Sequence, residues 1–330
     1  MIRLLSRDDV AAVLTLPDCI AAVEQVFADY ATGRLPKSAS LGVAADAGTF
    51  HVKAARANIF AAKINANFPA NPASHGLPTV QGVIVVMDVD RGTPLGILDS
   101  TLITTLRTAA ATAVAAKHLA RKDATTVAVV GCGALAATTI EALRVVRAVN
   151  RVVLWDVSTV ARDRCARELV ASARVDVVSA DSLDACVATA DIIVTCTPAT
   201  RPLIEVRHLR PGLFIAAVGA DNPAKSEISP EVMAQALVVP DLTEQAAAMG
   251  DLHHAIAAGL LTAYDVHGEL GDVISGGVPG RQTADQIFLF DSTGTALQDV
   301  VVASLAIERA TSRDIGTTWL SRQAGATESC

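Results

Sequence analysis

The 330-residue sequence contains few aromatic residues and few charges. Aromatic side chains make up 3% of it and charged side chains 18%, whereas hydrophobic residues make up 51%. The core must therefore be built from Ala, Val, Leu and Ile, which suits a parallel sheet covered by helices on both faces. The net charge of −7 and the lack of a basic block argue against a nucleic acid as a partner.

Long apolar runs and paired cysteines are also missing. No stretch reaches the length of about 18 consecutive apolar residues that a membrane span needs, and the charged N-terminus does not resemble a signal peptide. The six cysteines form no CxxC pair, and the adjacent His253 and His254 have no accompanying Cys or carboxylate pattern. We therefore predict no membrane partner, no disulfide framework and no metal site, and we expect free thiols in a reducing cytoplasm.

The most informative stretch that is present is VAVVGCGALAA, at Val127 to Ala137. Its apolar, β-branched first part predicts a buried strand, and Gly131, Gly133 and Ala136 then fit the GxGxxG/A pattern. Gly131 permits a tight turn, Gly133 lets the backbone approach a pyrophosphate, and Ala136 lets the next helix pack closely on its strand. The pyrophosphate would lie at the N-terminus of that helix.

An acidic residue at a suitable spacing strengthens this pattern. A second predicted strand, at 151–155, is followed by Asp156, 25 residues after Gly131. A carboxylate there would bind the ribose 2′-OH and repel a 2′-phosphate. A strand–turn–helix without a ligand is the alternative, but the combination of strand, glycines, helix and acid disfavours it. The sequence thus predicts a dinucleotide site with NAD(H) preferred and NADP(H) as the alternative.

The other predicted elements change in character near residue 100. Before it, helices are predicted within 6–33 and a dense set of strands at 40–44, 48–54, 58–65 and 80–88, which indicates an antiparallel or mixed sheet. After a helix at 102–119, strands alternate with helices, at 127–130, 151–156, 175–178, 192–195, 214–218, 237–240 and 286–291. A helix at 297–310 follows, and the tail after Ser312 is expected to be loosely ordered. The prediction is an α/β fold with a doubly wound sheet and a second, different domain.

Two lone cations in apolar stretches are candidate substrate contacts. Lys63 lies in the predicted strand AAKINANFPAN, and Arg107 lies in the predicted helix LRTAAATAVAA. Burial of either without an anion is costly, and a substrate carboxylate would offset that cost. Arg also offers bidentate geometry for a carboxylate. An internal salt bridge or a snorkelling side chain explains each cation equally well.

Two strand ends carry further candidates. Asp221 follows the predicted strand FIAAVGA at its carboxyl end, where open α/β sheets place ligand-facing residues. A carboxylate there could transfer a proton at an amine or water. A helix N-cap or turn former is the alternative, because DNP is a turn sequence. Thr197 and Pro198 end the strand of VTCTP and would border the nicotinamide ribose.

Several stretches in fixed order resemble the ornithine cyclodeaminase/mu-crystallin family: KINANFPAN, GLPTVQGVIVVMD, LRTAAATAVAAKHLAR, VVGCGALA, VTCTP, VGADNPAKSEI and FDSTGTALQDV. The resemblance runs through nearly the whole chain. It implies a Rossmann domain (119–300) inserted between the two parts (1–118 and 301–330) of an α+β substrate-binding and dimerisation domain. It also implies a homodimer and a hydride transfer between NAD(H) or NADP(H) and the α-carbon of a small amino or imino acid.

The resemblance assigns roles by position. Lys63 and Arg107 match the carboxylate-binding cations of the family, and Asp221 matches the acid that transfers a proton near the substrate amine. Asp221 and Lys63 are therefore the expected catalytic residues. Lys37, in RLPKS, falls where many members have an Arg that also contacts the carboxylate. The implied cofactor-binding residues are Gly131, Gly133, Ala134, Leu135, Asp156, Thr197, Pro198, Val218, Asp291, Ser292 and Thr293.

One departure from the family concerns the substrate. Ornithine-specific members are expected to have an acidic residue just before a Met-Pro pair, whereas this chain has FHVKAA there, with His51 and Lys53 as candidate substrate contacts. A cationic Lys53 would repel an ornithinium side chain, unless it points to solvent. It is compatible with a small or cyclic imino acid or with a substrate that bears a second anionic group. We therefore predict a ketimine reductase of the pyrroline-2-carboxylate type, with an ornithine cyclodeaminase or a non-catalytic, crystallin-like binding protein as alternatives.

Overall fold

The computed structural model describes residues 1–172 and 175–319. The strands, in chain order, are β1 (Ile2–Leu5), β2 (Ala39–Ala45), β3 (Gly48–Arg56), β4 (Phe60–Asn67), β5 (Val80–Met87), β6 (Pro94–Asp99), β7 (Thr126–Val130), β8 (Arg151–Trp155), β9 (Asp176–Ser179), β10 (Ile192–Thr195), β11 (Thr200–Ile204), β12 (Phe214–Ala217), β13 (Ser226–Ile228), β14 (Leu237–Pro240), β15 (Phe288–Asp291) and β16 (Thr317–Trp319). The helices are α1 (Arg7–Val13), α2 (Leu16–Ala31), α3 (Asn71–His75), α4 (Ser100–Leu119), α5 (Ala136–Val146), α6 (Thr159–Ser172), α7 (Leu183–Val187), α8 (Pro230–Gln235), α9 (Thr243–Met249), α10 (Asp251–Ala257), α11 (Leu270–Ser275) and α12 (Ala296–Ser312). A 3-10 turn covers Val206–His208.

The chain forms two compact units. The described residues of the first unit are 1–15, 35–104 and 296–319, and the second unit comprises 16–34 and 105–295. These limits differ from the domain limits predicted at 118/119 and 300/301, and helix α2 joins the second unit. The reason is packing: α2 contacts α11 and α5, and Gly271 lets α11 approach the backbone of Phe27 closely.

Within the described residues, the first unit holds a mixed sheet of seven strands in the order β16-β1-β6-β5-β4-β3-β2. Strands β1 and β6 are parallel, and the other neighbours are antiparallel. The predicted antiparallel or mixed sheet is thus confirmed, although the sequence patterns did not reveal β1, β6 or β16. The expectation of a loosely ordered tail is wrong at Thr317–Trp319, because this segment pairs with β1. The rest of that tail, 320–330, lies outside the described residues.

Helix α12 packs on one face of this sheet, against β3 and β4. This packing explains why buried and more exposed side chains alternate along β4. Ala61, Lys63 and Asn65 are buried on the helix-covered face, whereas Ile64 points to the other face and is 42% exposed. The sheet thereby places Lys63 beneath α12.

The second unit contains a parallel sheet with the strand order β14-β15-β12-β10-β7-β8-β9 in the described part of the chain. From β7 the chain proceeds through β8 and β9 in one direction, and it returns through β10 and β12 in the other. The order therefore reverses between β7 and β10, which is where doubly wound sheets bind ligands at the carboxyl ends of their strands. This is the predicted Rossmann-like fold.

Both faces of the parallel sheet are buried. Ala128, Val130 and Ile215 belong to a buried cluster on one face, together with residues of α7, α8 and α10. Their neighbours Val129 and Phe214, which point to the opposite face, are also 0% exposed. The continuous Val- and Ala-rich strands of the sequence are explained by this double covering.

Among residues 1–172 and 175–319, no single helix has both the length and the apolar character to cross a membrane; α1 and α2 reach them only when taken together as an interrupted pair.

Candidate functional site

The loop between β7 and α5 has the features of an anion-binding turn. Gly131 has a φ of +98°, and a Cβ there would lie 2.6 Å from Thr197 Cγ2, so only glycine fits. Gly133 and Ala134 are exposed, and a Cβ on Gly133 would meet nothing within 4 Å. Leu135 precedes α5 and provides no side-chain cap for the first turn. Backbone N–H groups and the helix dipole are thus available to a pyrophosphate.

Asp156 is hydrogen-bonded to the backbone of this loop. Its Oδ2 accepts a hydrogen bond from the Cys132 N–H (2.7 Å) and its Oδ1 accepts one from the Ser158 N–H (2.7 Å). Each carboxylate oxygen has a second lone pair that can accept from a ribose hydroxyl. The guanidinium of Arg162 donates to the Ala180 carbonyl (3.0 Å). The residues present therefore fit an adenosine ribose without a 2′-phosphate.

The two loop glycines provide a matched pair of variants. Gly131→Ala is expected to destabilise the fold by about 1–3 kcal/mol, because a methyl group would force a strained φ and a clash with Thr197. Gly133→Ala should leave the thermal unfolding temperature unchanged but weaken NADH binding, because its methyl group would occupy the open space at the helix N-terminus. Thermal unfolding and a fluorescence titration with NADH measure the two effects. Unchanged NADH affinity in Gly133→Ala would contradict a pyrophosphate site at this loop.

Glu227, which no sequence motif indicated, links two strand ends at the same sheet edge. Its Oε1 accepts from the N–H and the hydroxyl of Thr197 (2.6 and 2.7 Å), and its Oε2 accepts from the Thr195 hydroxyl and the Gly219 N–H (both 2.8 Å). The side chain is fully buried. Glu227 therefore fixes the segments after β10 and β12, where Thr197, the exposed Pro198 and the buried Val218 are the predicted cofactor contacts.

Further buried carboxylates continue inward from Glu227. Asp251 Oδ1 accepts from the Glu227 N–H (2.8 Å), and Asp291 Oδ2 accepts from the Leu252 N–H (2.9 Å). Burial and the nearby Asp251 raise the pKa of Glu227 to about 7. Burial likewise raises the pKa of Asp251 to about 6 and that of Asp291 well above its usual range. These three carboxylates together are thus partly protonated near neutral pH.

The segment after β15 is held by hydrogen bonds to Asp241, a residue of the same unit. Asp241 is fully buried and accepts hydrogen bonds from the Thr293 hydroxyl (2.8 Å), the Gly294 N–H (2.7 Å) and the Ser292 hydroxyl (3.5 Å). Asp291, at the end of the strand, is also fully buried. These contacts give Asp291, Ser292 and Thr293 a role in shaping the loop, and their predicted contact with the nicotinamide stays a prediction.

The raised pKa of Glu227 has a consequence for stability. Its value of about 7 in the folded protein exceeds the ordinary value of 4.5, so the folded state holds more protons between these pH values. The stabilisation is complete below pH 4.5 and is lost as the pH rises through 7. Glu227→Gln should therefore reduce the decline in unfolding free energy between pH 5 and pH 8 by about 3 kcal/mol. Denaturant unfolding at both pH values measures it, with the exposed Glu231→Gln as the control; equal slopes in all three proteins would contradict the assignment.

Asp221 lies after β12 and forms an ion pair within its own loop. Its Oδ1 lies 2.6 Å from Lys225 Nζ, which also donates to the Gly219 carbonyl (3.1 Å). The side chain of Asp221 is 50% exposed, whereas that of Lys225 is 18% exposed. The carboxylate is thus oriented by a partly buried cation at the carboxyl end of the sheet and remains accessible. This geometry suits a group that holds or transfers a proton.

Arg107 is 7% exposed and lies close to the segment that Asp241 holds. Gly294 has a φ of +74°, and a Cβ there would lie 2.9 Å from Arg107 Nη2. A glycine at this position thus lets the guanidinium approach the backbone. The second unit therefore places a buried cation next to the loop that follows β15.

In the first unit, Lys63 has an internal partner. Its Nζ lies 2.6 Å from Asp299 Oδ2, and the two side chains are 4% and 3% exposed. It also donates to the Thr104 hydroxyl (3.4 Å). Of the explanations left open for this cation, the internal salt bridge is present, and no sequence pattern had indicated Asp299 as its partner. Its predicted contact with a substrate carboxylate stays a prediction.

The sheet register brings two other candidates to the same face. Lys53 pairs with Lys63, and His51 pairs with Asn65, across β3 and β4. Residues directly opposite each other point to the same face of a sheet. Lys53 is half-buried, so the alternative in which it simply points to solvent is disfavoured. Lys37 is exposed and precedes β2, and its contact with substrate stays a prediction.

Comparison with known proteins agrees with these features. An alanine dehydrogenase from Archaeoglobus fulgidus is 34% identical over 95% of this chain and 96% of its own length. An iminosuccinate reductase from Paracoccus denitrificans is 33% identical over 92% of this chain and 95% of its own length.

Two solved structures are similar over nearly their whole length. An archaeal alanine dehydrogenase dimer with bound NAD has a TM-score of 0.92 at 32% identity and covers 96% of this chain and 98% of that one. The Δ1-pyrroline-2-carboxylate reductase of Thermococcus litoralis, in complex with NADH and L-proline, has a TM-score of 0.92 at 27% identity and covers 96% and 100%. The family model of ornithine cyclodeaminase/mu-crystallin matches residues 2–314. The chain therefore belongs to the ornithine cyclodeaminase/mu-crystallin family, as its motifs predict.

Proposed function

We propose that the protein is an NAD(H)-dependent oxidoreductase that reduces the C=N bond of a small α-imino acid. One observation carries the cofactor assignment. Asp156 accepts a hydrogen bond from the glycine loop, and the N-terminus of α5 next to that loop has no side-chain cap. The reaction is supported by family membership and by relatives described as imino-acid reductases and as an alanine dehydrogenase. When bound, NADH supplies a hydride to the imine carbon and is oxidised to NAD⁺.

In this proposal, residues of the chain bind the substrate and hold or deliver the proton. Lys63 and Arg107 are the proposed carboxylate-binding cations, and they orient the imine carbon for attack. Asp221, oriented by Lys225, holds or delivers the proton at the substrate nitrogen. In the product amine, one new C–H bond and one new N–H bond replace the π bond of C=N, and the C–N single bond remains.

An absorbance screen of NADH oxidation tests the proposal. The substrates are Δ1-pyrroline-2-carboxylate, Δ1-piperideine-2-carboxylate and pyruvate with ammonium, each with NADH and with NADPH. Oxidation of NADH by an imino acid supports the reductase. In a separate assay with NAD⁺ and ornithine, ammonia release without net change in NADH would identify a cyclodeaminase instead. A protein that binds NADH but turns over none of these substrates would be a binding protein.

We also propose that a second copy of the chain covers the outer face of the first unit's sheet. Leu41, Ile64 and Val83 lie in one row on that face and are 60%, 42% and 41% exposed. Val43 and Phe50 form part of the next row and are 49% and 42% exposed. Contiguous exposed apolar side chains of this kind mark protein interfaces, and an archaeal relative is described as a dimer.

Oligomeric state tests the interface. Ile64→Lys is expected to convert a dimer into a monomer, because it would bury a charge in the contact. Val160→Lys, at an exposed position (77%) of the second unit, is the matched control. Sedimentation velocity measures both variants beside the unchanged protein. A dimer that persists in Ile64→Lys would place the interface elsewhere.

A reducing, cytoplasmic compartment is our further proposal. Its support is that Cys19, Cys132, Cys165, Cys186 and Cys196 are free thiols. Cys330 lies outside the described residues.

A further inference from the structure

The buried side chain of Glu227 accepts four hydrogen bonds. Two backbone N–H groups, of Thr197 (2.6 Å) and Gly219 (2.8 Å), and two hydroxyls, of Thr195 (2.8 Å) and Thr197 (2.7 Å), donate to its two oxygens. An ionised carboxylate offers about four acceptor positions, so these donors use them all. A glutamine has one acceptor oxygen and one NH2 group, and that NH2 group would face a backbone N–H. This position therefore requires a carboxylate, which fixes the backbone of two loops.

One of these loops leads from Glu227 to Asp221. The Gly219 N–H donates to Glu227 Oε2, and the Gly219 carbonyl accepts from Lys225 Nζ (3.1 Å). The same Nζ lies 2.6 Å from Asp221 Oδ1. A Cβ on Gly219 would lie 2.6 Å from Glu227 Cδ, so this close approach requires a glycine. A continuous series of contacts thus connects the buried carboxylate with the half-exposed one.

The position of Asp221 depends on how firmly Lys225 is held. An ion pair with a half-exposed carboxylate is weak, so it does not by itself determine the geometry of a loop. Residues 218–225 form neither helix nor strand. Lys225 is anchored at two points, because its Nζ donates to the Gly219 carbonyl and its own carbonyl accepts from His254 Nε2 (2.8 Å). Without the hydrogen bond to Glu227, Gly219 would lose its fixed position, and the Lys225 ammonium would lose it as well.

We propose that Glu227 is a positioning residue of the reductase, which acts through Gly219 and Lys225 to hold the Asp221 carboxylate at the site of proton transfer. The inference rests on the proposed function, because it identifies what supports the proton-transfer residue of that same site. A catalytic group must be held within about 0.5 Å of its productive position, and the side chains behind it provide this precision. Glu227 is 0% exposed, so it acts without contact to the substrate.

Glu227→Gln tests this role, because the amide keeps the shape of the side chain but removes acceptor positions. Single-turnover oxidation of NADH by a ketimine that the protein reduces should slow about 10- to 100-fold at saturating NADH, since a misplacement of 1 Å can cost about 100-fold. Measurements at pH 8 keep Glu227 ionised in the unchanged protein, because its pKa is raised to about 7. Glu231→Gln, the same substitution at an exposed position of the same unit, is the control and should retain the full rate. An unchanged rate in Glu227→Gln would overturn the inference.

A double-mutant cycle with Asp221→Asn distinguishes positioning from a general structural role. If Glu227 acts through Asp221, Glu227→Gln should slow the Asp221→Asn protein by less than about twofold, because the group that it positions is already lost. Losses that multiply would show that Glu227 serves the fold or the cofactor instead. If Glu227→Gln does not fold, Thr195→Val takes its place, because it removes one of the four donors to the same carboxylate. Its smaller loss should likewise disappear in the Asp221→Asn protein.

A crystal structure of the Glu227 variant, or of its substitute, separates this inference from the proposed function. If the unchanged protein reduces no ketimine, the reductase proposal fails, but the position of Asp221 can still be compared between variants. We expect the Asp221 carboxylate to move by about 1 Å and to leave Lys225 Nζ, whereas the 2.6 Å contact should persist in Glu231→Gln. An unmoved pair of Asp221 and Lys225 would overturn the inference, whatever the activity of the unchanged protein.

Discussion

Replacing Asp221 with Asn is expected to lower kcat by about 100- to 10,000-fold, the usual contribution of a positioned acid or base. The amide keeps the shape of the side chain but cannot exchange a proton at the substrate nitrogen. Because the carboxylate lies in a loop after β12 and is half-exposed, the change should leave the fold intact. Single-turnover oxidation of NADH measures the chemical step directly, and a fluorescence titration measures NADH binding, which should be unchanged.

Two further variants show whether the loss arises from proton transfer. Asp285→Asn makes the same substitution at an exposed position of the same unit and should have no effect. Lys225→Met removes the cation 2.6 Å from Asp221 Oδ1 and should cause a smaller loss, because the carboxylate remains but is no longer held in place. Normal turnover in Asp221→Asn would exclude Asp221 from the chemistry. A loss of NADH affinity equal to the loss of kcat would show that the loop serves cofactor binding instead.

The cofactor half of the site was predictable because the features that define it depend on residues close together in the sequence. A positive φ at Gly131, an uncapped helix start and an acid after the next strand follow from residue types at fixed spacings. The structure adds the hydrogen bond from the Cys132 N–H to Asp156, which spacing alone could not reveal. Glu227 was missed because its partners lie at the ends of two strands and precede it by 8 to 32 residues. The sequence around Glu227 offered little signal, because β13 is only three residues long and begins with a serine.

The substrate half depends on contacts between distant segments. Composition explained Lys63 equally well by a substrate carboxylate and by an internal salt bridge, and only the packing of α12 on β4 brings Asp299 to it. The register of β3 and β4 likewise places Lys53 beside Lys63, whereas the sequence alone left its direction open. Strand β6 was missed since it begins at Pro94, which lacks an N–H, and β16 is only three residues long.

Lys63→Met is expected to lower the free energy of unfolding by about 3–5 kcal/mol, because Asp299 would remain buried without the ammonium that balances it. It should also raise KM about 10- to 100-fold, since a hydrogen bond to a charged group contributes about 1.5–3 kcal/mol. Both effects predict low activity, so the single variant does not separate a structural role from substrate binding. Denaturant unfolding measures the first effect and steady-state kinetics measures the second.

The double variant Lys63→Met/Asp299→Leu separates them. Replacement of a buried ion pair by apolar side chains of similar volume is often neutral or stabilising, so the unfolding free energy should return to near its original value. If Lys63 binds the substrate carboxylate, KM will remain raised in this stable protein. If its role is only to pair with Asp299, KM will recover together with stability, and the carboxylate would then be bound by Arg107 without Lys63. The comparison thus decides which of the two explanations that composition left open describes the function of this lysine.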